Sequence, residues 1–375
     1  MILYGILFEG SDTNIGKQKY LDAHGVNYQY NKQVVNVLFA HEGGKKIARQ
    51  IQCVHAGKPE TIDLVEDDLV FVTNGSCTEN ATTGDDDNAP AMTTHTGDGG
   101  CWQLWKNIAK QDAAFGHPDK FCGNLQATNW ESATVTTLDG RIPSYIQKLS
   151  KRDPFTGNVV TGGIITIKDS NWLMSFTVNR QPHFQEQPRD QVVMWVYGLY
   201  TDKPGDYVKK PMKDCTGREI VEELLWHMGV PETEISDMAK TGAHCIPCMM
   251  PYITAFFMPR KAGDRPEVVP ERSVNFAFIG QFADTARDTV FTTEYSVRTA
   301  MEAVYTLLEI DRGVPEVYAS CYDVRALLEA TAQMMDGRKI TDMKLSFFTR
   351  IGEKIALKKA SGTVVEEILK RYHIV

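Results

Sequence analysis

Three residues near the middle of the chain have the chemistry to hold a carboxylate. Thr177 and Asn179 share one face of an alternating apolar–polar run, and His183 follows just past its end. Two neutral donors and an imidazole can clamp an anionic oxygen pair, because a charge-assisted hydrogen bond is roughly twice as strong as a neutral one. The same residues could instead cap their own strand end, and the pattern alone leaves both readings open. Elsewhere, the apolar run 274–279 stops abruptly at Gly280-Gln281-Phe282, and residues 289–308 read as a helix. A strand, a glycine turn and a helix bring backbone close to a ligand, and the helix start offers unpaired N–H groups to an anion. The run 68–73 stops in the same way at Asn74-Gly75-Ser76. Parallel sheets receive ligands at such carboxyl edges, and the two edges could belong to one sheet.

Other motifs carry less. Cys245-Ile246-Pro247-Cys248 has the C-x-x-C spacing, but no second pair accompanies it, so it reads as core thiols rather than a zinc or redox site. Asp85, Asp86 and Asp87 lack the alternating oxygen ligands and terminal Glu of a calcium loop, and read as a solvated loop. Residues 246–258 are rich in methionine and aromatics; Met249, Met250, Tyr252 and Phe256 suit either a flexible apolar cavity or ordinary core. No G-x-G-x-x-G, P-loop, G-x-S-x-G or H-E-x-x-H occurs. We expect no metal.

The elements that must position these residues belong to a large chain. Its 375 residues allow two or three domains and a sizeable core. Hydrophobic residues make 42% and charged residues 23%, and the net charge of -8 argues against nucleic acid as a partner. No apolar run reaches the roughly 18 residues that span a bilayer, and the start of the chain lacks the pattern of a signal peptide. Eight irregularly spaced cysteines read as reduced thiols in the cytoplasm.

The periodicity predicts a helix over 15–23 and a hairpin of strands 34–40 and 47–54 about Gly43-Gly44. It predicts helices over 101–114 and within 132–149, and a strand over 172–178 with period two. A strand over 192–200 and a helix over 216–228 follow, the helix started by the capping box Thr216 with Glu219. Helices close the chain over 323–335 and within 341–375. In this tail Arg350, Lys354 and Lys358 recur every fourth residue beside Phe347, Phe348, Ile351 and Ile355. A basic amphipathic helix can lie on an anionic membrane, or simply dock with a solvated side.

Taken together, FVTNGS (71–76), SFTVNRQPHF (175–184), GLYTDKPGDYVKKPM (198–212), CTGREI (215–220), IPCMMPYITAFFMPR (246–260) and IGQFADTARDTVFTTEYSVR (279–298) resemble the oleate hydratases, the family long labelled myosin-cross-reactive antigen. The resemblance runs from about Gln18 to Val375. It implies an α/β chain: a partial FAD-binding (Rossmann-like) domain, a strand-rich substrate domain and a C-terminal helical region. The implied bounds are 1–100 and 261–320 for the FAD-binding part, 101–260 for the fatty-acid domain, and 321–375 for the helical segment. The implied activity is an FAD-dependent hydro-lyase that adds water to the cis double bond of oleate to give 10-hydroxystearate. Oleate and linoleate are the implied substrates and a homodimer the implied assembly. Residues 344–371 are expected to touch the inner face of the cell membrane peripherally.

By the same resemblance, Thr177, Asn179, His183 and Tyr252 bind the fatty acid. Asn74, Gly75, Ser76, Gly280, Gln281, Phe282, Thr289 and Phe291 contact FAD. Residues 1–14 depart from the family, whose members begin with a strand, a glycine fingerprint and a helix; this chain resembles the C-terminal two-thirds. No counterpart is found for the acidic residue that activates water or the tyrosine that protonates the alkene, so no catalytic residue is identified. Each positioned acid or base contributes about 10²–10⁴ in rate. Little activity is therefore expected of these residues alone. The alternatives are a non-catalytic lipid-binding remnant, or another flavoenzyme on the same scaffold such as an isomerase or amine oxidase; the Thr177–His183 cluster favours a fatty acid over an amine.

Overall fold

The computed structural model describes residues 12–93, 96–97, 99–286, 292–315, 322–334 and 347–371. The chain divides into two compact units, Met1–Gly313 and Val314–Val375, and the architecture is mixed α/β.

The first unit opens with α1 (Asp12–Ala23) and a meander of β1 (Lys32–Glu42), β2 (Lys45–His55) and β3 (Lys58–Asp63). Gly43 and Gly44 both sit at positive φ (57° and 77°), the backbone that a two-residue hairpin needs to match strand twist. There follow β4 (Val70–Thr73), β5 (Thr82–Thr83), α2 (Gly100–Ala109), α3 (Asp119–Cys122), α4 (Leu125–Thr128), β6 (Trp130–Thr137) and α5 (Arg141–Ser150). Next come β7 (Ile165–Thr166), β8 (Ser175–Thr177), β9 (Val193–Gly198), α6 (Gly217–His227), α7 (Glu232–Thr241), β10 (Ala243–Met250), β11 (Phe276–Ile279) and α8 (Thr293–Leu307). The second unit holds α9 (Val324–Met334), α10 (Phe347–Ala360) and α11 (Val364–Arg371).

Three cores organise the first unit. The largest lies on an antiparallel six-stranded sheet, order β5-β10-β6-β9-β8-β7. There Val135, Met194, Val196 and Cys245 pack with Ile220, Leu224 and Met238 from α6 and α7. The second joins β1 and β2 to β4, β11, α2 and α8 through Val37, Phe276, Phe278, Leu104, Ile108 and Ala303. The third is aromatic, with Trp102, Trp105, Phe121, Tyr252, Phe256 and Phe282. Helix α2 serves two cores at once, Leu104 and Ile108 facing one and Trp102 and Trp105 the other.

Several sequence expectations are modified. The period-two run 172–178 does bury Trp172, Met174, Phe176 and Val178, but only Ser175–Thr177 is strand. A turn in which Leu173 N–H donates to the Ser170 carbonyl, with Leu173 at φ 49°, bends the chain first. The helix predicted over 101–114 ends at Ala109, and 132–149 holds β6 before α5. Strand β3 and helix α7 were not anticipated; β3 (KPETID) has too little apolar alternation to stand out. The aspartate run is not merely solvated. Asp86 pairs with His244 (2.6 Å) and accepts from Cys245 N–H (2.7 Å), and Asp87 pairs with Arg218 (2.8 Å). It clamps β10 to the start of α6.

The C-x-x-C lies within β10, so Cys245 and Cys248, three residues apart, point to opposite faces. Burial raises both thiols above their ordinary range. The capping box of α6 forms as expected, Thr216 and Glu219 exchanging hydrogen bonds.

Candidate functional site

Strands β4 and β11 pair in parallel, Phe276 opposite Val70 and Ile279 opposite Thr73. They therefore stop together, and the turns Asn74-Gly75-Ser76 and Gly280-Gln281-Phe282 meet although some two hundred residues separate them. Asn74 Nδ2 donates to the Phe282 carbonyl at 3.5 Å. Asn74 is 1% exposed, and its Oδ1 has no hydrogen-bond partner among the described residues. Gly280 takes φ 90°, and its N–H donates to Thr299 Oγ1 at 2.9 Å, which latches α8 to the turn. The Gln281 carbonyl accepts from Arg265 Nη1 at 3.3 Å, and Arg265 Nη2 pairs with Asp284 at 2.6 Å. The Arg265 guanidinium lies over the rings of Phe256 and Tyr295, and Tyr295 Oη donates to the Ala283 carbonyl at 2.6 Å.

Thr299 and Arg265 were invisible to sequence reasoning. An arginine fifteen residues before a glycine turn carries no motif, and a helical threonine reads as surface. Thr289 and Phe291 lie outside the described residues.

The two glycines of this edge differ. A Cβ on Gly75 would sit 2.8 Å from the Phe282 ring and 3.0 Å from Trp102, so protein already fills the space above it. A Cβ on Gly280 would meet, among the described residues, only Thr73 Cγ2, at 3.3 Å. Phe282 is 1% exposed, inside a ring of Trp102, Trp105, Phe121 and Phe256. Trp102 Nε1 donates to the Ser76 carbonyl, fixing the third residue of the first turn.

Beside this edge is a cavity of about 450 Å³ walled by the meander, β4 and α2. Val34, Val37, Ile51, Leu64, Val72 and Leu104 make its apolar wall, and Thr73, Gly100 and Cys101 lie at its α2 end. The start of α2 is not an open anion site, because Cys101 N–H already donates to Glu79 at 2.9 Å. Burial and the Glu79 carboxylate push the Cys101 thiol up to about 12, so it stays protonated and is no nucleophile. Asp63 and Asp68 also border the cavity, but both are exposed and accept from Gln50 and from Val65 N–H.

The sequence-derived carboxylate cluster sits elsewhere, on and after β8. Thr177 Oγ1 donates to the Gly163 carbonyl at 3.3 Å and lies 3.2 Å from Thr161 Oγ1. Asn179 and His183 are exposed, beyond the strand end. Their loop is held by Gln181, which is buried and bonds both Val193 N–H and the Val193 carbonyl. Gln187 braces it further by accepting from His183 N–H at 2.7 Å. Tyr252 is separate from this trio. It belongs to the aromatic core, fully buried, its hydroxyl accepting from Gly97 N–H at 2.7 Å.

A dinucleotide needs parallel strands ending together and polar atoms free to meet it. The β4/β11 edge, the Asn74 Oδ1 that no described residue pairs, and Gly280, whose Cβ position meets only Thr73 among the described residues, fit such a group. The packed face of Gly75 adds nothing to that fit.

The fold is mixed α/β, with two parallel strands that end together and a cavity beside the first of them. The model of the MCRA family matches residues 17–305. The chain is 49% identical over 354 residues, 94% of its own length and 60% of the relative's, to the oleate hydratase of Streptococcus pyogenes serotype M49 (strain NZ131). It is 33% identical over 341 residues, 85% of its length and 58% of the relative's, to the linoleate hydratase of Lactiplantibacillus plantarum. The chain belongs to the MCRA family. It spans about 60% of the length of these curated relatives.

Proposed function

We propose that this chain is the flavin- and lipid-facing part of a fatty-acid hydratase, a hydro-lyase that adds water to the cis double bond of oleate to give 10-hydroxystearate. The observation that carries the proposal is the parallel β4/β11 edge with an Asn74 oxygen that no described residue pairs. Two relatives named as hydratases of oleate and linoleate supply the substrate class. In this reading the edge belongs to a Rossmann-like FAD-binding domain. Asn74 and the Gly280-Gln281 turn would hold the cofactor, with Thr289 and Phe291 assigned from sequence alone. Hydration leaves the oxidation level of carbon plus water unchanged, so FAD when bound supplies a polar, planar wall rather than net electron transfer.

Thr177, Asn179 and His183 would take the fatty-acid carboxylate. Asn179 and His183 are exposed on the loop after β8, and Thr177 is half-buried at the strand's end, which leaves the group open to a long substrate entering from solvent or membrane. Tyr252 would act by shaping the aromatic core beside the edge. A homodimer in the cytoplasm, in peripheral contact with the membrane through residues 344–371, completes the proposal.

A second reading, binding without turnover, is favoured by the wall of the cavity. Its bordering carboxylates, Asp63 and Asp68, are exposed and engaged, and its thiol is held protonated. Protonating an unactivated alkene needs a positioned acid.

One experiment separates the readings. FAD is titrated into the purified chain, visible absorbance is followed on the retained fraction, and oleate turnover is measured alongside. Retained flavin with 10-hydroxystearate supports the hydratase. Retained flavin without product supports binding alone. Flavin that washes off rejects the cofactor assignment for these residues.

A further inference from the structure

Away from this edge, the described residues hold a cluster of metal-ligating groups. Asp206, in the loop after β9, and Glu223 and His227, one turn apart on α6, bring their ligand atoms within 4.8 Å of one another. His227 Nε2 lies 3.3 Å from Glu223 Oε1 and 3.5 Å from Asp206 Oδ2. The His227 side chain is 7% exposed and points into this group, yet its Nε2 makes no contact of hydrogen-bond geometry among the described residues. A buried imidazole nitrogen aimed at two carboxylates without bonding either needs an explanation.

Ligand spacing supplies one. Bonds of about 2.0–2.1 Å in a tetrahedron place neighbouring ligand atoms about 3.3 Å apart. The two measured separations match that value, and they are long for a charge-assisted hydrogen bond. The carboxylates are also oriented as metal ligands are, by donors behind them. Glu223, fully buried, accepts from the N–H groups of Asp206 (2.6 Å), Tyr207 (2.9 Å) and Val208 (2.9 Å). Asp206 Oδ2 accepts from Asn171 N–H at 2.8 Å. Lys209 donates to the Asp206 backbone carbonyl, not to this carboxylate. Asp206, 21% exposed, leaves an entry side.

We propose that Asp206, Glu223 and His227 bind one divalent transition-metal ion, with water in the remaining position. One imidazole nitrogen and two carboxylate oxygens suit Zn(II) or a neighbouring first-row ion better than Ca(II) or Mg(II). The ion would pin the Gly205–Val208 backbone to α6, a structural role independent of the hydratase reading.

The test uses the full chain, stripped with chelator, dialysed and titrated with Zn(II) by calorimetry. Bound metal is counted by plasma mass spectrometry and its ligand shell read by X-ray absorption. The expected result is one zinc per chain with an imidazole and oxygens at about 2.0–2.2 Å. His227→Gln and Asp206→Asn should each weaken binding at least tenfold with the circular dichroism spectrum unchanged. Absence of binding by the wild-type chain overturns the proposal and leaves His227 as a close neighbour of the two carboxylates with no ion between them. A shell of sulfur at about 2.3 Å overturns it too, assigning the zinc to cysteine. Should a variant fail to fold, the wild-type absorption spectrum decides.

Discussion

Gly75 and Glu131 show most clearly how single residues are constrained here. Gly75 combines φ 65° with rings at 2.8 and 3.0 Å from where a Cβ would stand. Gly25 has a similar φ of 72° with nothing within 4 Å among the described residues. Gly75→Ala should therefore cost about 2–4 kcal/mol, left-handed strain plus overpacking, and Gly25→Ala only about 1 kcal/mol. Urea denaturation of both variants checks this; equal losses would mean that packing on Gly75 is irrelevant.

Glu131 is fully buried on β6 and neither carboxyl oxygen has a hydrogen-bond partner among the described residues. Burial first, and the charge of Asp214 second, push its carboxyl well above 4.5. The folded chain thus keeps this proton where the unfolded chain has released it, so stability falls as pH rises above about 4.5 toward the folded value. Glu131→Gln removes that dependence. Its advantage over wild type should widen from pH 5 to pH 8 in denaturant titrations; a constant difference would refute a protonated Glu131.

At the scale of elements, the parallel edge depends on how its strands are fastened. Asn275, fully buried just before β11, accepts from Ala48 N–H at 2.8 Å and donates to the Ala48 carbonyl at 3.1 Å. One side chain thus ties β11 to β2, and through β11 to β4 and the Asn74 turn. Asn275→Ala leaves both Ala48 groups unpaired and should destabilise by about 2–3 kcal/mol. If the parallel edge holds flavin, FAD retention should fall with it. Stability lost with retention intact would separate the meander from the parallel edge. Helix α2 has a comparable joint, since its Glu79-capped start borders the cavity and its tryptophans wall the aromatic core.

At the scale of the whole molecule, net charge and local charge differ. The chain carries -8 overall, yet Lys354, Lys358 and Lys359 are exposed on α10, with apolar Ile355, Val364 and Val365 exposed on α10 and α11. No described helix is long and apolar enough to cross a membrane. Basic side chains near an anionic surface contribute about 1 kcal/mol each. Reversing two of them, Lys354→Glu with Lys358→Glu, should weaken sedimentation with phosphatidylglycerol vesicles more than tenfold and leave phosphatidylcholine vesicles unaffected. Unchanged binding to the anionic vesicles would remove α10 from the membrane proposal.

Local signals were legible in the sequence wherever one segment held all the information. The Gly43-Gly44 hairpin, the Thr216–Glu219 box and the burial of Trp172, Met174, Phe176 and Val178 rest on neighbours a few residues away. The motifs also showed the family, and both strand-to-glycine turns were visible as separate features. Tertiary structure alone decided that these turns form one edge, because parallel pairing joins strands without any local mark. It alone put Arg265, Thr299 and Asn275 behind that edge and Tyr252 in an aromatic core away from Thr177. Hydrogen bonds between residues far apart in the chain leave no periodicity to read, and whether a glycine faces a ligand or a phenylalanine depends on which distant side chain arrives there.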